Sequence, residues 1–278
     1  MGSLLSKKIS VLDASIQILG TVRSSTVEMP WLTKTFKISD YHQYNMILSQ
    51  ERPSLIVNFL RGEGPSDYKL HNELVDYCLN SNSFYIYASS ALALDGYAPG
   101  MKLLENMPPK SISPYGIFKG KCEESLVLSG VSHLILRFSS IQGWAPHKVT
   151  RNQRFLEKIS KGISVEVDGG IFQNRLFDET FVDIVIELLR VGAEGVFHLG
   201  TLDSSSEVSF LRRQADIFGW DPDLVVESKS RDANLVVEPD KLLSLLGHEF
   251  GKIENETLNS LLRCSGLAQY INTANSHR

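Results

Sequence analysis

The sequence predicts an α/β fold built on a parallel sheet with right-handed crossovers. Three observations carry that expectation. Short apolar runs rich in β-branched and aromatic residues alternate with segments of helical spacing along the first half of the chain. Two of those runs end in paired small hydroxyl residues, Ser89-Ser90 and Ser139-Ser140, and in such a sheet ligands gather at the carboxyl ends of the strands. From Trp144 onward the pattern changes, with a helix followed by short strands and turns.

Composition excludes several classes. The chain has 278 residues, enough for one large domain or two modest ones, with 42% apolar and 22% charged residues, as in an ordinary soluble globular protein. A net charge of −4 without a basic block argues against a nucleic-acid partner. No apolar run approaches the ~20 residues that span a bilayer, and the first ten residues, MGSLLSKKIS, have no signal-peptide core. Cys78, Cys122 and Cys264 are far apart, odd in number and without metal-ligand spacing. They suggest thiols in a reducing cytoplasm.

In chain order, Lys8–Leu12 (KISVL) reads as a first buried strand. The next turn would face a dinucleotide pyrophosphate if the sheet binds one, and it holds Asp13, Ile16, Leu19 and Gly20. In a second register, Ile18–Arg23 is the second strand and the first helix is deleted. Thr35–Asp40 reads as strand and turn, with Lys34 and Lys37 facing solvent. Tyr41–Arg52 has helical spacing, with Tyr44, Ile47 and Leu48 on one face, and Pro53 ends it. Leu55–Asn58 is a strand, Leu70–Leu79 a helix, and Phe84–Tyr87 an aromatic strand. Ser113-Pro114 marks a helix start. Leu134–Phe138 is the next strand, Arg151–Ile159 an amphipathic helix, and Gly195–Gly200 a late strand. Ser204–Ser206 caps a helix over Glu207–Phe218.

The chemistry-bearing stretch is Ser89 to Lys119. Tyr115 and Lys119 lie four apart on the predicted helix, so both project from one face. A phenol titrates near ~10 and an adjacent ammonium favours its phenolate. A hydroxyl such as that of Ser90 would hold a substrate oxygen in line with the phenol. The spacing alone is weak, since nine tyrosines make a chance Tyr-x-x-x-Lys common. Its place after a strand ending in Ser-Ser and before a new apolar strand strengthens it.

This arrangement resembles the extended short-chain dehydrogenase/reductases, the NAD-dependent epimerase/dehydratase group, and in detail its dTDP-4-dehydrorhamnose-reductase-like branch. That branch has Ser-Thr-Asp-Tyr-Val-Phe-Asp-Gly where this chain has Ser89-Ser90-Ala91-Leu92-Ala93-Leu94-Asp95-Gly96. The resemblance implies a Rossmann-type doubly wound domain over 1–145, rejoined by the chain at about 176–200, and a smaller substrate-binding lobe over most of 146–278. It implies an NAD(P)-dependent reductase or epimerase of a nucleotide-activated sugar, with Ser90, Tyr115 and Lys119 catalytic. Asp13, Ile16, Gly20, Asn58 and Lys119 would line the cofactor, and Ser89, Ser139, Arg175 and Arg231 the substrate. Arg175, in the Gln-x-Arg element, would grip the diphosphate. Against the family's Gly-x-x-Gly-x-x-Gly, the glycine positions hold Asp13, Ile16 and Leu19, and Gly20 is displaced by one. NAD(P) binding is therefore expected to be weakened, altered or lost. The alternative is a non-catalytic relative kept as a binding or regulatory subunit. The family also admits a homodimer.

Overall fold

A computed structural model describes residues 1–22, 29–37, 42–144, 149–228 and 232–264. The chain opens with helix α1 (Gly2–Leu12). Strands β1 (Leu19–Val22) and β2 (Lys34–Lys37) follow, then α2 (His42–Glu51), β3 (Leu55–Asn58), α3 (Pro65–Ser81) and β4 (Phe84–Ala88). A 3-10 turn at Ala91–Leu94 leads to α4 (Pro114–Ser129), β5 (His133–Phe138), β6 (Ser140–Gln142) and α5 (Arg151–Ser160). Strands β7 (Val165–Asp168), β8 (Ile171–Gln173) and β9 (Arg175–Phe177) precede α6 (Asp178–Arg190) and β10 (Gly195–Leu199). The remainder comprises β11 (Ser205–Ser206), α7 (Glu207–Ile217), β12 (Val225–Ser228), β13 (Ala233–Leu235), α8 (Asp240–Leu246) and α9 (Glu254–Arg263).

The main sheet runs β10-β5-β4-β3 and every pairing is parallel. Parallel strands need covered faces, and both are covered. On one side Leu5 of α1 and Phe181, Ile184, Val185 and Leu188 of α6 pack with Ile86, Leu134 and Leu136. On the other, Tyr44 and Leu48 of α2, Leu70 and Leu74 of α3, and Cys122 and Leu126 of α4 pack with Tyr85, Tyr87 and Ile135. This is the α/β architecture the sequence predicts. A separate apolar cluster, including Leu156, Val167, Phe210, Trp220 and Leu258, lies in the C-terminal part.

The first element corrects the first expectation. Lys8–Leu12 is the end of a helix, not a strand. Leu5 is buried in the core cluster, Leu4 and Ile9 pack against that cluster, and Lys8 pairs with Asp183 at 2.6 Å. Leu5 and Ile9 are one helical turn apart, so a stripe at helical period outweighs the β-branched run. Leu19–Val22 is a strand, paired in parallel with Lys34–Lys37, but it is the first described strand and follows a helix, so the second register holds only for its strand character.

Candidate active site

Two contacts fasten the start of α4 to the end of β4. Ser113 caps α4, its side chain accepting from the Gly116 N–H at 3.2 Å, and Pro114 opens the first turn. Gly116 then meets the chain just past Ser90. A Cβ there would stand 2.0 Å from the Leu92 carbonyl oxygen and 2.1 Å from Ser111 Oγ, so only glycine permits the approach. One turn on, Lys119 Nζ donates to the Ala88 carbonyl at 2.8 Å and to the Leu60 carbonyl at 3.2 Å. Helix α4 thus reaches the chain on either side of Ser90, through Lys119 at Ala88 and Gly116 at Leu92. Tyr115 adjoins Gly116 on the same helix, with the Lys119 and Arg61 cations over its ring.

Their electrostatics differ from the expectation. Lys119 is buried, and its Nζ lies 5.6 Å from the centre of the Tyr115 ring. Burial pulls its ammonium down to about 8, with Cys122, Glu123 and Asp67 opposing. Burial also pushes the Tyr115 phenol above its ordinary range. The cation working against that rise is Arg61, 5.5 Å from the ring, and Glu63 reinforces it. The phenol is therefore protonated at neutral pH, not a phenolate poised by Lys119. Ser90 Oγ accepts from the Leu92 N–H at 3.2 Å, which leaves its own proton for a substrate oxygen.

A cavity of about 180 Å³ lies against Ser90, between the sheet end and the C-terminal strands. Its polar lining comes from Ser90, Ser139, Arg151, Asp168, Gln173 and Glu207. Ser139 Oγ donates to the Leu235 carbonyl while lining it.

Several other predicted positions are occupied with structural work. Ser89 is buried and donates to Glu123, which forms a buried ion pair with Arg137 at 2.6 Å. It does not face the cavity. Asn58 is also buried: its amide donates to Tyr85 Oη at 2.8 Å and its oxygen accepts from the Leu60 N–H at 3.0 Å. Arg175 is fully buried, bound to Glu254 at 2.6 Å and Glu207 at 2.9 Å, with its guanidinium 4.4 Å from the Phe210 ring. It has no path to a diphosphate, a correction the sequence could not supply because its partners lie 32 and 79 residues away. Arg231 lies outside the described residues, and Lys34 is held by Glu51 at 2.7 Å. Arg151 and Glu207 were missed as cavity residues. The one available signal was the Thr150 cap that sets Arg151 at the start of α5.

Of the residues expected to line a dinucleotide, Lys119 is buried, with two of its three ammonium donors committed to the Leu60 and Ala88 carbonyls. The expected diphosphate side is not formed by Asp13, Ile16 and Gly20. Asp13 caps the carboxyl end of α1, where the helix dipole is negative, and its carboxylate accepts from Ser15. Ile16 is exposed, and Gly20 lies within β1 against Leu32.

No family model matches the chain, and no curated protein does either. Solved structures do. A Bordetella bronchiseptica enzyme, WbmG, in complex with NAD and UDP superposes with a TM-score of 0.78 at 18% identity, over 97% of this chain and 92% of that one. Thermus thermophilus UDP-glucose 4-epimerase in complex with NAD gives 0.72 at 18%, over 93% and 95%. A dTDP-4-dehydrorhamnose reductase from Clostridium acetobutylicum gives 0.71 at 14%, over 91% and 100%. This chain has their fold. It is the Rossmann-type fold that the resemblance implied, and the match runs along nearly the whole of each chain.

Proposed function

We propose that the chain is an NAD(P)-dependent reductase or epimerase acting on a nucleotide-activated sugar. The observation that carries this reading is the clamp of α4, the helix of Tyr115 and Lys119, onto the chain on either side of Ser90, which itself lines a polar cavity. The neighbours support it, being described with NAD, with UDP or as nucleotide-sugar enzymes. The C-terminal strands and α5 would form the substrate lobe.

In this reading Ser90 donates its hydroxyl proton to a sugar oxygen and holds it in line with Tyr115. A phenol kept protonated by burial suits the direction in which Tyr115 Oη gives its proton to an oxygen gaining negative charge. Lys119 fixes the end of β4 through the Ala88 carbonyl and keeps positive charge near the phenol. A bound nicotinamide would supply or accept the hydride.

A second reading, a relative that binds nucleotide sugars without redox chemistry, rests on α1, which stands where a strand and glycine turn were expected. Isothermal titration of the folded chain with NADH and with NADPH separates the two. Heat of binding at micromolar to millimolar concentration is expected for one of them. Silence with both removes the redox reading and leaves the binding one.

A further inference from the structure

Loss of Arg175 from the substrate contacts leaves the anionic part of a nucleotide sugar without an assigned partner. The cavity supplies another. Arg151 is the only cationic side chain among its described lining residues. It is exposed, and its guanidinium packs 5.0 Å from the Phe155 ring one turn along α5. Two carboxylates, Glu207 and Asp168, share the lining with it, and each has a partner elsewhere. Glu207 is answered by Arg175 at 2.9 Å and by the Gln173 amide at 2.6 Å. Asp168 accepts from the Gly170 N–H at 3.0 Å.

Size fixes which part of a ligand belongs inside. A cavity of about 180 Å³ is below the ~300 Å³ at which pockets begin to hold drug-sized molecules. It holds a ring-sized group, and the rest of a nucleotide sugar must leave through the mouth. Ser90, Ser139 and the exposed Arg151 all line the cavity.

We propose that Arg151 is the phosphate contact of the substrate site, gripping the diphosphate as it leaves the cavity while the sugar ring sits against Ser90. This rests on the nucleotide-sugar reading above and deepens it. It also assigns Arg175 a purely structural part.

The test is titration of the full chain with UDP and, separately, with dTDP, neither of which needs the cofactor or turnover. Wild type should bind at least one of them. Arg151→Ala should weaken that binding about tenfold or more, the scale of a lost charge-assisted hydrogen bond, with unchanged circular dichroism and melting temperature. Arg151→Lys should recover part of the affinity, because it keeps the charge and loses the fork. Wild-type affinity in Arg151→Ala overturns the assignment and leaves the nucleotide-sugar reading standing. Failure of folded wild type to bind either nucleotide overturns both.

Discussion

At the residue scale, the buried titratable groups decide how this molecule responds to acid. His198 of β10 is fully buried, and neither ring nitrogen finds a hydrogen-bond partner among the described residues. Burial brings its pKa down to about 3, aided by Arg137 and Lys241 and opposed by the backbone of Glu238 and Leu103, which lies near the ring without a full hydrogen bond. The sign follows from linkage. The unfolded chain takes up the proton first, so stability is complete above about 6.5 and falls as pH drops toward 3. At pH 5 this one group should have removed about 2 kcal/mol. His198→Leu should therefore lose about 2 kcal/mol less than wild type between pH 8 and pH 5, read from urea midpoints. Equal losses in both proteins would show that His198 accepts its proton in the folded state. Its burial was legible from the apolar strand around it, but its unpaired nitrogens were not.

At the scale of elements, α4 carries the site. Its helical spacing places Tyr115 and Lys119 on one face, Gly116 and Gly120 on another, and Glu123 one turn beyond Lys119. The glycine face lets Leu92 and Pro109 come close. Gly116→Ala would place a methyl group 2.0 Å from the Leu92 carbonyl oxygen. The start of α4 must then move, at a cost of about 1–3 kcal/mol. Since ~1 Å of misplacement can cost about a hundredfold in rate, turnover should fall further than stability does. Thermal unfolding and initial rates on the purified variant check both. An unchanged melting temperature would mean the contact is looser than described.

The same helix shows what could be read in advance. Ser113-Pro114 and the Tyr115–Lys119 spacing are local signals, so α4 and its face were legible. The Lys119 hydrogen bonds to Ala88 and Leu60 join segments 31 and 59 residues away, and no local pattern marks them. Helix α1 was misread for a related reason. KISVL has the residues of a strand, and only the burial of Leu5 and Ile9 against a distant sheet selects the helix.

At the scale of the whole molecule, two cores meet around the cavity. The sheet with its helices supplies Ser90 and Ser139 from the ends of β4 and β5, and the C-terminal part supplies Arg151, Gln173 and Glu207. Arg175 fastens the second part internally, linking β9 to α7 through Glu207 and to α9 through Glu254. The Thr257 hydroxyl closes the link on the Arg175 carbonyl at 2.9 Å. Among the described residues no helix is long and apolar enough to cross a membrane. The fold class was legible because alternating strand and helix signals leave few topologies. The role of Arg175 was not, because a buried ion pair and a phosphate grip use the same residue type.

Proton transfer by Tyr115 beside Ser90 is the claim on which the rest depends. The most direct test compares wild type with Tyr115→Phe, under NADPH or NADH, on UDP- and dTDP-linked 4-keto sugars. The Tyr115 phenol is half-buried, and loss of its hydroxyl should leave stability within about 0.5 kcal/mol. Turnover should fall by about a hundredfold or more, as expected for removal of a general acid. A Tyr115→Phe protein that turns over at the wild-type rate would contradict the account.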